Sequence, residues 1–160
     1  MRAAVLTVSD RVSRGAAEDA SGDALEELLR ADGYEVARRV VPDEHALIAA
    51  GIEELAASAS LVLTTGGTGL APRDVTPEAT RAVLWRDVPG IAEALRADSI
   101  ARTPHGLLSR GAAGVVGQTL VVNLPGSTGG CRDGYAVLQP ALAHALSLLA
   151  DQPTEHRQSS

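Results

Sequence analysis

Short unbroken apolar runs recur along this chain, separated by longer stretches in which apolar residues return every third or fourth position. Ala3 to Val8 predicts a first buried strand and Tyr34 to Val41, though it carries charges, a second strand; the apolar runs Leu61 to Leu63 and Thr119 to Leu124 predict two more. Between the first two, Leu25, Leu28 and Leu29 share one face of a helix that starts near Ser21, and Gly33 stops it. Ile48, Ile52, Leu55 and Ala56 mark a second helix. After the third run, Thr76 suits an N-cap and Pro77 a first helical position. Helices are therefore predicted near Pro77 to Leu84 and Pro89 to Asp98. The last stretch carries a stripe of Leu138, Leu142, Ala145 and Leu149, which Pro140 either kinks or divides into two helices. Strands alternating with helices predict a doubly wound α/β domain over residues 1–151, then a polar tail over 152–160.

Composition narrows this further. At 160 residues the chain fits one domain, long enough to bury roughly 70% of its unfolded surface. Apolar residues make up 45% of it, yet there is no Phe, one Trp and two Tyr. The core must come from Val, Leu, Ile and Ala, which suits a parallel sheet covered by helices. So few aromatics leave little to stack on single-stranded nucleic acid, and a net charge of −6 disfavours nucleic-acid or anionic-membrane partners. All 14 basic residues are Arg, which excludes a P-loop lysine, a pyridoxal-phosphate Schiff base and any lysyl nucleophile. Cys131 is the only cysteine, so neither an intrachain disulfide nor a thiolate metal cluster can form. No signal-peptide pattern opens the sequence and no apolar run has membrane length, so a cytoplasmic setting is expected.

Candidate chemistry gathers at the carboxyl ends of the predicted strands, where open α/β sheets bind ligands. After Leu61 to Leu63 come Thr64, Thr65, Gly66, Gly67, Thr68 and Gly69, a turn able to cradle an anion on successive N–H groups. A tight strand-to-helix turn is the plainer alternative; Arg73 and Asp74 on the same loop favour a phosphate site. Ser9-Asp10-Arg11 and Pro125 to Gly130 end two other strands, and all these loops converge if their strands are parallel neighbours. Asp74 is either a turn carboxylate paired with Arg73 or a Mg²⁺ ligand. Asp43, after Pro42, is either an N-cap or a member of the same acidic site. Ser127 and Thr128 either cap the following helix or donate to a phosphate, with Gly126 and the helix dipole assisting. Asp133 complements that dipole, and Arg132 joins Arg11 and Arg73 as the basic groups nearest the expected pocket. His45, His105, His144 and His156 lack metal-ligand spacing, and no GxSxG nucleophile elbow is present.

The stretch TTGGTGLAPRDVTPEAT closely resembles the signature of the MoaB/Mog family of molybdenum cofactor biosynthesis proteins. The resemblance extends to SDR (Ser9 to Arg11), PDE (Pro42 to Glu44), VPGIAEALR (Val88 to Arg96) and NLPGSTGG (Asn123 to Gly130). It implies a three-layer α/β/α domain with a mostly parallel sheet, assembled as a homotrimer, that binds molybdopterin. It also implies adenylylation of molybdopterin by Mg-ATP with release of pyrophosphate. Asp43 and Asp74 match acidic residues that the family uses in adenylyl transfer, and so become the expected Mg²⁺ ligands. Together with Arg73, a reasonable phosphate clamp, they form the expected catalytic group. Thr65, Gly66, Gly67, Thr68 and Gly69 would bind the nucleotide. Ser9, Arg11, Pro125, Gly126, Ser127 and Thr128 would bind the pterin and its phosphate. One departure matters: the Mog branch follows NLPG with a Pro- and Ser-containing stretch. Here Ser127 to Cys131 is closer to the MoaB branch. A non-catalytic molybdopterin-binding or carrier protein is therefore the alternative expectation.

Overall fold

The computed structural model describes residues 1–151; the expected polar tail, with His156, lies outside the described residues. The strands are β1 (Arg2–Val8), β2 (Glu35–Val41), β3 (Leu61–Thr65), β4 (Arg86–Asp87), β5 (Ala113–Val116) and β6 (Thr119–Leu124). They form one six-stranded sheet in the order β2-β1-β3-β6-β5-β4. β2, β1, β3 and β6 run parallel, whereas β5 is antiparallel to β6 and β4 to β5. The helices are α1 (Asp10–Ser13), α2 (Ala20–Ala31), α3 (His45–Ala56), α4 (Thr76–Val83), α5 (Pro89–Arg102) and α6 (Thr128–Ala150), with a 3-10 turn at Pro104–Leu108.

Successive side chains of a strand point to opposite faces, and both faces of this sheet are covered. Val5 and Leu63 join Leu25, Leu29, Leu142 and Leu146 in a core beneath α2 and α6. Leu6 and Val62 join Ile48, Ile52 and Ala79 in a second core beneath α3 and α4. Strands buried on both faces read as continuous apolar runs, which is why they stand out in the sequence. The result is the expected three-layer arrangement. Among the described residues no helix is long and apolar enough to cross a membrane.

From β1 the chain moves to β2 on one side, then returns past β1 to lay β3 on its other side. The winding therefore reverses between β1 and β3, and a crevice opens there at the strands' carboxyl ends. Ser9, Pro42, Gly66 and Pro125 each follow one of the four parallel strands at this edge.

Several elements differ from the sequence-based expectation. The polar stretch after β1 contains the one-turn helix α1, whose N-cap Ser9 accepts a bond from the Val12 N–H. Pro140 neither divides nor ends α6, which runs unbroken from Thr128 to Ala150. Pro140 is exposed, and buried Leu138 and Leu142 on either side hold the helix to the sheet. β4, β5 and the 3-10 turn are additions, too short for an apolar rhythm to register.

Candidate active site

Backbone conformation sets the centre of the site. Gly66 and Gly67 have φ of 98° and 68°, in the left-handed region that favours glycine. A Cβ on Gly66 would lie 2.3 Å from the Val8 carbonyl oxygen, and one on Gly67 2.3 Å from Thr76 Oγ1. Thr76 does not cap α4; Val75 holds the cap position. The Thr76 hydroxyl instead donates to the Gly66 carbonyl at 2.9 Å, and its N–H donates to the Gly67 carbonyl at 3.1 Å. Behind it, the Thr80 hydroxyl donates to the Thr76 carbonyl, and the Asn123 side-chain amide donates to the hydroxyls of Thr64 and Thr80. This buried network is satisfied throughout, so it fixes the turn without leaving a polar group unpaired.

On one side of the turn stand a pair of carboxylates, Asp10 and Asp43, and separately Asp74. Asp10 and Asp43 clasp each other: the Asp10 N–H donates to Asp43 Oδ2 at 2.9 Å, and the Asp43 N–H to Asp10 Oδ1 at 3.0 Å. Asp43 is thereby not the N-cap of α3; Glu44 occupies that position. Arg73 grips Asp10 bidentately, Nε to Oδ2 at 2.7 Å and Nη2 to Oδ1 at 2.9 Å. Arg73 thus pairs with Asp10, not with Asp74. Asp74 folds back so that Oδ2 accepts the Ala71 N–H at 3.1 Å. Both Asp43 and Asp74 abut the glycines. A Cβ on Gly67 would sit 3.1 Å from Asp43 Oδ1, and one on Gly69 3.0 Å from Asp74 Oδ2. The hydrogen bonds from Arg73 hold the Asp10 carboxyl below the usual aspartate range. Burial pushes Asp43 up, and the charges of Asp10 and Asp74 add to this.

On the other side lies a cavity of about 190 Å³ at the β1–β3 crevice. Its polar lining combines the hydroxyl residues Thr7, Ser9, Ser21, Thr65 and Thr128 with the carboxylates Glu18 and Asp19 and the backbones of Gly66 and Gly126. Thr65 is buried; its hydroxyl donates to the Pro125 carbonyl at 2.7 Å and lies 3.0 Å from Ser21 Oγ. Asp19 caps α2 through the Gly22 N–H, accepts the Thr7 hydroxyl at 2.8 Å and is neutralised by Arg38. Gly126 packs against the turn, its Cβ position 3.4 Å from Gly66 Cα.

The fold brings together most of the residues singled out from sequence. Asp43, Arg73 and Asp74 with Gly67 and Gly69 form the acidic side, and Ser9, Thr65, Gly66, Gly126 and Thr128 line the cavity. Thr68 is buried beneath the turn. Ser127 is the N-cap of α6, accepting the Gly130 N–H, while the neighbouring Thr128 reaches the cavity. Arg11 is exposed on α1, and Arg132 pairs with Glu27 on α2. Asp133 pairs with Arg102. Asp10, Asp19 and Ser21 were not foreseen as site residues. Asp10 lies inside the SDR motif and could have been read from it; Asp19 and Ser21 look locally like ordinary helix-start residues.

Known proteins share this sequence pattern and fold. Residues 4–144 match the family described as "Probable molybdopterin binding domain". The molybdopterin adenylyltransferase of Helicobacter pylori strain J99 is 38% identical over 150 residues, covering 91% of this chain and 85% of that protein. The molybdopterin biosynthesis enzyme MoaB of Thermus thermophilus superposes with a TM-score of 0.87 at 48% identity, over 95% of this chain and 98% of that one. The molybdopterin biosynthesis Mog protein of Mycobacterium ulcerans superposes with a TM-score of 0.87 at 41% identity, over 92% and 98%. Against four larger curated relatives the chain spans only 22% to 48% of their length.

Proposed function

The chain belongs to this molybdopterin-binding family of molybdenum cofactor biosynthesis proteins, and from that membership we propose that it is a molybdopterin adenylyltransferase. ATP and molybdopterin are the substrates. An oxygen of the terminal phosphate of molybdopterin attacks the α-phosphorus of ATP, the bond from that phosphorus to the bridging oxygen breaks, and pyrophosphate leaves. The attacking phosphate is already an anion at neutral pH, so the site needs positioning and charge neutralisation more than a strong base. The observation that carries this reading is the meeting of two carboxylates, Asp43 and Asp74, with the left-handed glycine turn at the sheet's switch point.

Asp43 and Asp74 would hold the Mg²⁺ brought by ATP, which would supply charge neutralisation to the phosphates. Among the described residues no group of three or more His, Cys, Asp or Glu is arranged to hold a metal. Mg²⁺ does not require one, since one or two carboxylates with phosphates and water complete its octahedron. Asp43 and Asp74 fit that need: each packs against a glycine of the turn, and burial of Asp43 disfavours its unpaired charge. Thr65, Gly66, Gly67, Thr68 and Gly69 would shape the nucleotide side. Ser9, Arg11 and Pro125 to Thr128 would shape the pterin side. Arg73 joins the site already paired to Asp10, and would contribute positive charge near the phosphates. The protein would work in the cytoplasm as a homotrimer, and exposed Leu70, Trp85 and Leu107 offer apolar surface for assembly. A monomeric mass by light scattering would overturn the trimer.

Incubation with molybdopterin and Mg-ATP, followed by assay of adenylylated product and pyrophosphate, tests the reading directly. A protein that binds molybdopterin but forms no product would be the carrier instead. The Ser127-Thr128-Gly129-Gly130 sequence of the cavity loop favours that alternative.

A further inference from the structure

Two carbonyls bracket the loop that carries Arg73 and Asp74. They belong to Gly69, where the glycine turn ends, and to Asp74 itself. A single distant residue binds both: Arg110 donates from Nε to the Gly69 carbonyl at 2.8 Å and from Nη2 to the Asp74 carbonyl at 2.7 Å. The Arg110 N–H also donates to the Thr68 carbonyl at 2.9 Å. Its remaining edge, Nη1, pairs with Glu78 in the first turn of α4. A planar guanidinium with five N–H donors can span two carbonyls and a carboxylate in one fixed fork; an ammonium cannot.

We propose that Arg110 is a positioning residue for adenylyl transfer. It closes the Gly69–Asp74 loop across its two ends and, anchored by Glu78, fixes where the Asp74 carboxylate stands. It touches neither substrate nor metal and acts through Asp74. This rests on the adenylyltransferase reading. Partners that orient metal-binding groups typically cost about 10–100-fold in metal affinity or activity when removed.

The experiment compares wild-type protein with Arg110→Ala and Arg110→Lys. The lysine variant keeps the charge but loses the planar fork, and it carries the test should Arg110→Ala not fold. Expected for both is a lower kcat and a higher Mg²⁺ concentration at half-maximal rate, with the KM for molybdopterin unchanged. Added guanidinium ion, below denaturing concentration, should restore part of the activity of Arg110→Ala. Unchanged kcat and Mg²⁺ dependence would overturn the proposal. So would a loss shared equally by both substrates' KM and not rescued by guanidinium, since that marks general loosening. Should wild-type protein itself form no product, the adenylyltransferase reading fails, and amide exchange then decides about Arg110. Faster exchange of the Asp74 and Thr76 amides in Arg110→Ala, with β1 amides unchanged, would uphold the clamp; equal protection would overturn it.

Discussion

The two sides of the candidate site are built from different chemistry around one glycine turn. The acidic side holds Asp10, Asp43, Asp74 and Arg73, charged groups tied together by side chain-to-backbone bonds and one bidentate ion pair. The cavity side is rich in hydroxyls; of its two carboxylates, Glu18 is exposed and half-buried Asp19 is paired with Arg38. On the proposed function the labour would divide accordingly: a cation and the ATP phosphates would lie on the acidic side, and the pterin would lie in the hydroxyl-rich cavity. The carrier alternative predicts no such division, because a single ligand would span both.

Substitutions confined to one side test this contrast. The largest effect is expected from Asp74→Asn and Asp43→Asn, which should reduce adenylyl transfer by about 100-fold or more while molybdopterin binding persists. Turnover assays at saturating Mg²⁺ check it, and unchanged rates would remove both residues from the metal role. Next comes Gly69→Ala, whose Cβ would crowd Asp74 Oδ2 at 3.0 Å. Displacement of the Asp74 carboxylate should weaken ATP binding and not molybdopterin binding, as measured by calorimetric titration of each ligand. If both ligands weaken together, the two-sided site is wrong.

A smaller effect is expected from Thr128→Val, which keeps volume but removes a cavity hydroxyl. It should weaken molybdopterin by about 0.5–1.5 kcal/mol for a neutral partner, or about 1.5–3 kcal/mol if the hydroxyl meets a charged phosphate. ATP binding should not move. Ser127→Ala, by contrast, removes the cap of α6 and should lower stability by ~1 kcal/mol with less effect on molybdopterin.

The smallest effects should appear in stability against pH without magnesium. The Asp10 carboxyl is held below its ordinary value of 3.8 by Arg73. Its stabilisation is therefore full above that value and lost as pH falls through the lower, folded-state value. Asp10→Asn should melt below wild type at neutral pH, and the gap should close in acid. Asp43 is shifted the other way by burial, so its charged form disfavours folding above 3.8. Asp43→Asn should melt above wild type at neutral pH, and that gap too should vanish below 3.8. Thermal melts across this range would show opposite signs for two residues in one clasp.

How far the site was legible varies with the distance of its bonds along the chain. The TTGGTG turn stood out because it follows a buried strand, and Asp43 and Asp74 because they match acidic residues of the family that the chain resembles. Asp10 sat in plain view between Ser9 and Arg11, yet nothing local shows that it, and not Asp74, is the partner of Arg73. Arg110 gave no signal at all; its guanidinium reaches Asp74 across 36 positions of chain. β4 and β5 were missed because strands of two and four residues are too short to establish an apolar rhythm.

The sequence by itself determined the layers. Continuous apolar runs demanded strands buried on both faces, periodic leucines and isoleucines supplied the helices, and polar turns marked the strand ends. Only the tertiary structure decided which polar groups face one another. It joined Asp10 to Asp43 across 33 positions and Arg73 to Asp10 across 63, and it passed α6 unbroken through Pro140. Periodicity reports what neighbours in the chain must bury. Pairing between distant polar groups depends on strand order, and in this sheet that order reverses between β1 and β3, where the candidate site lies.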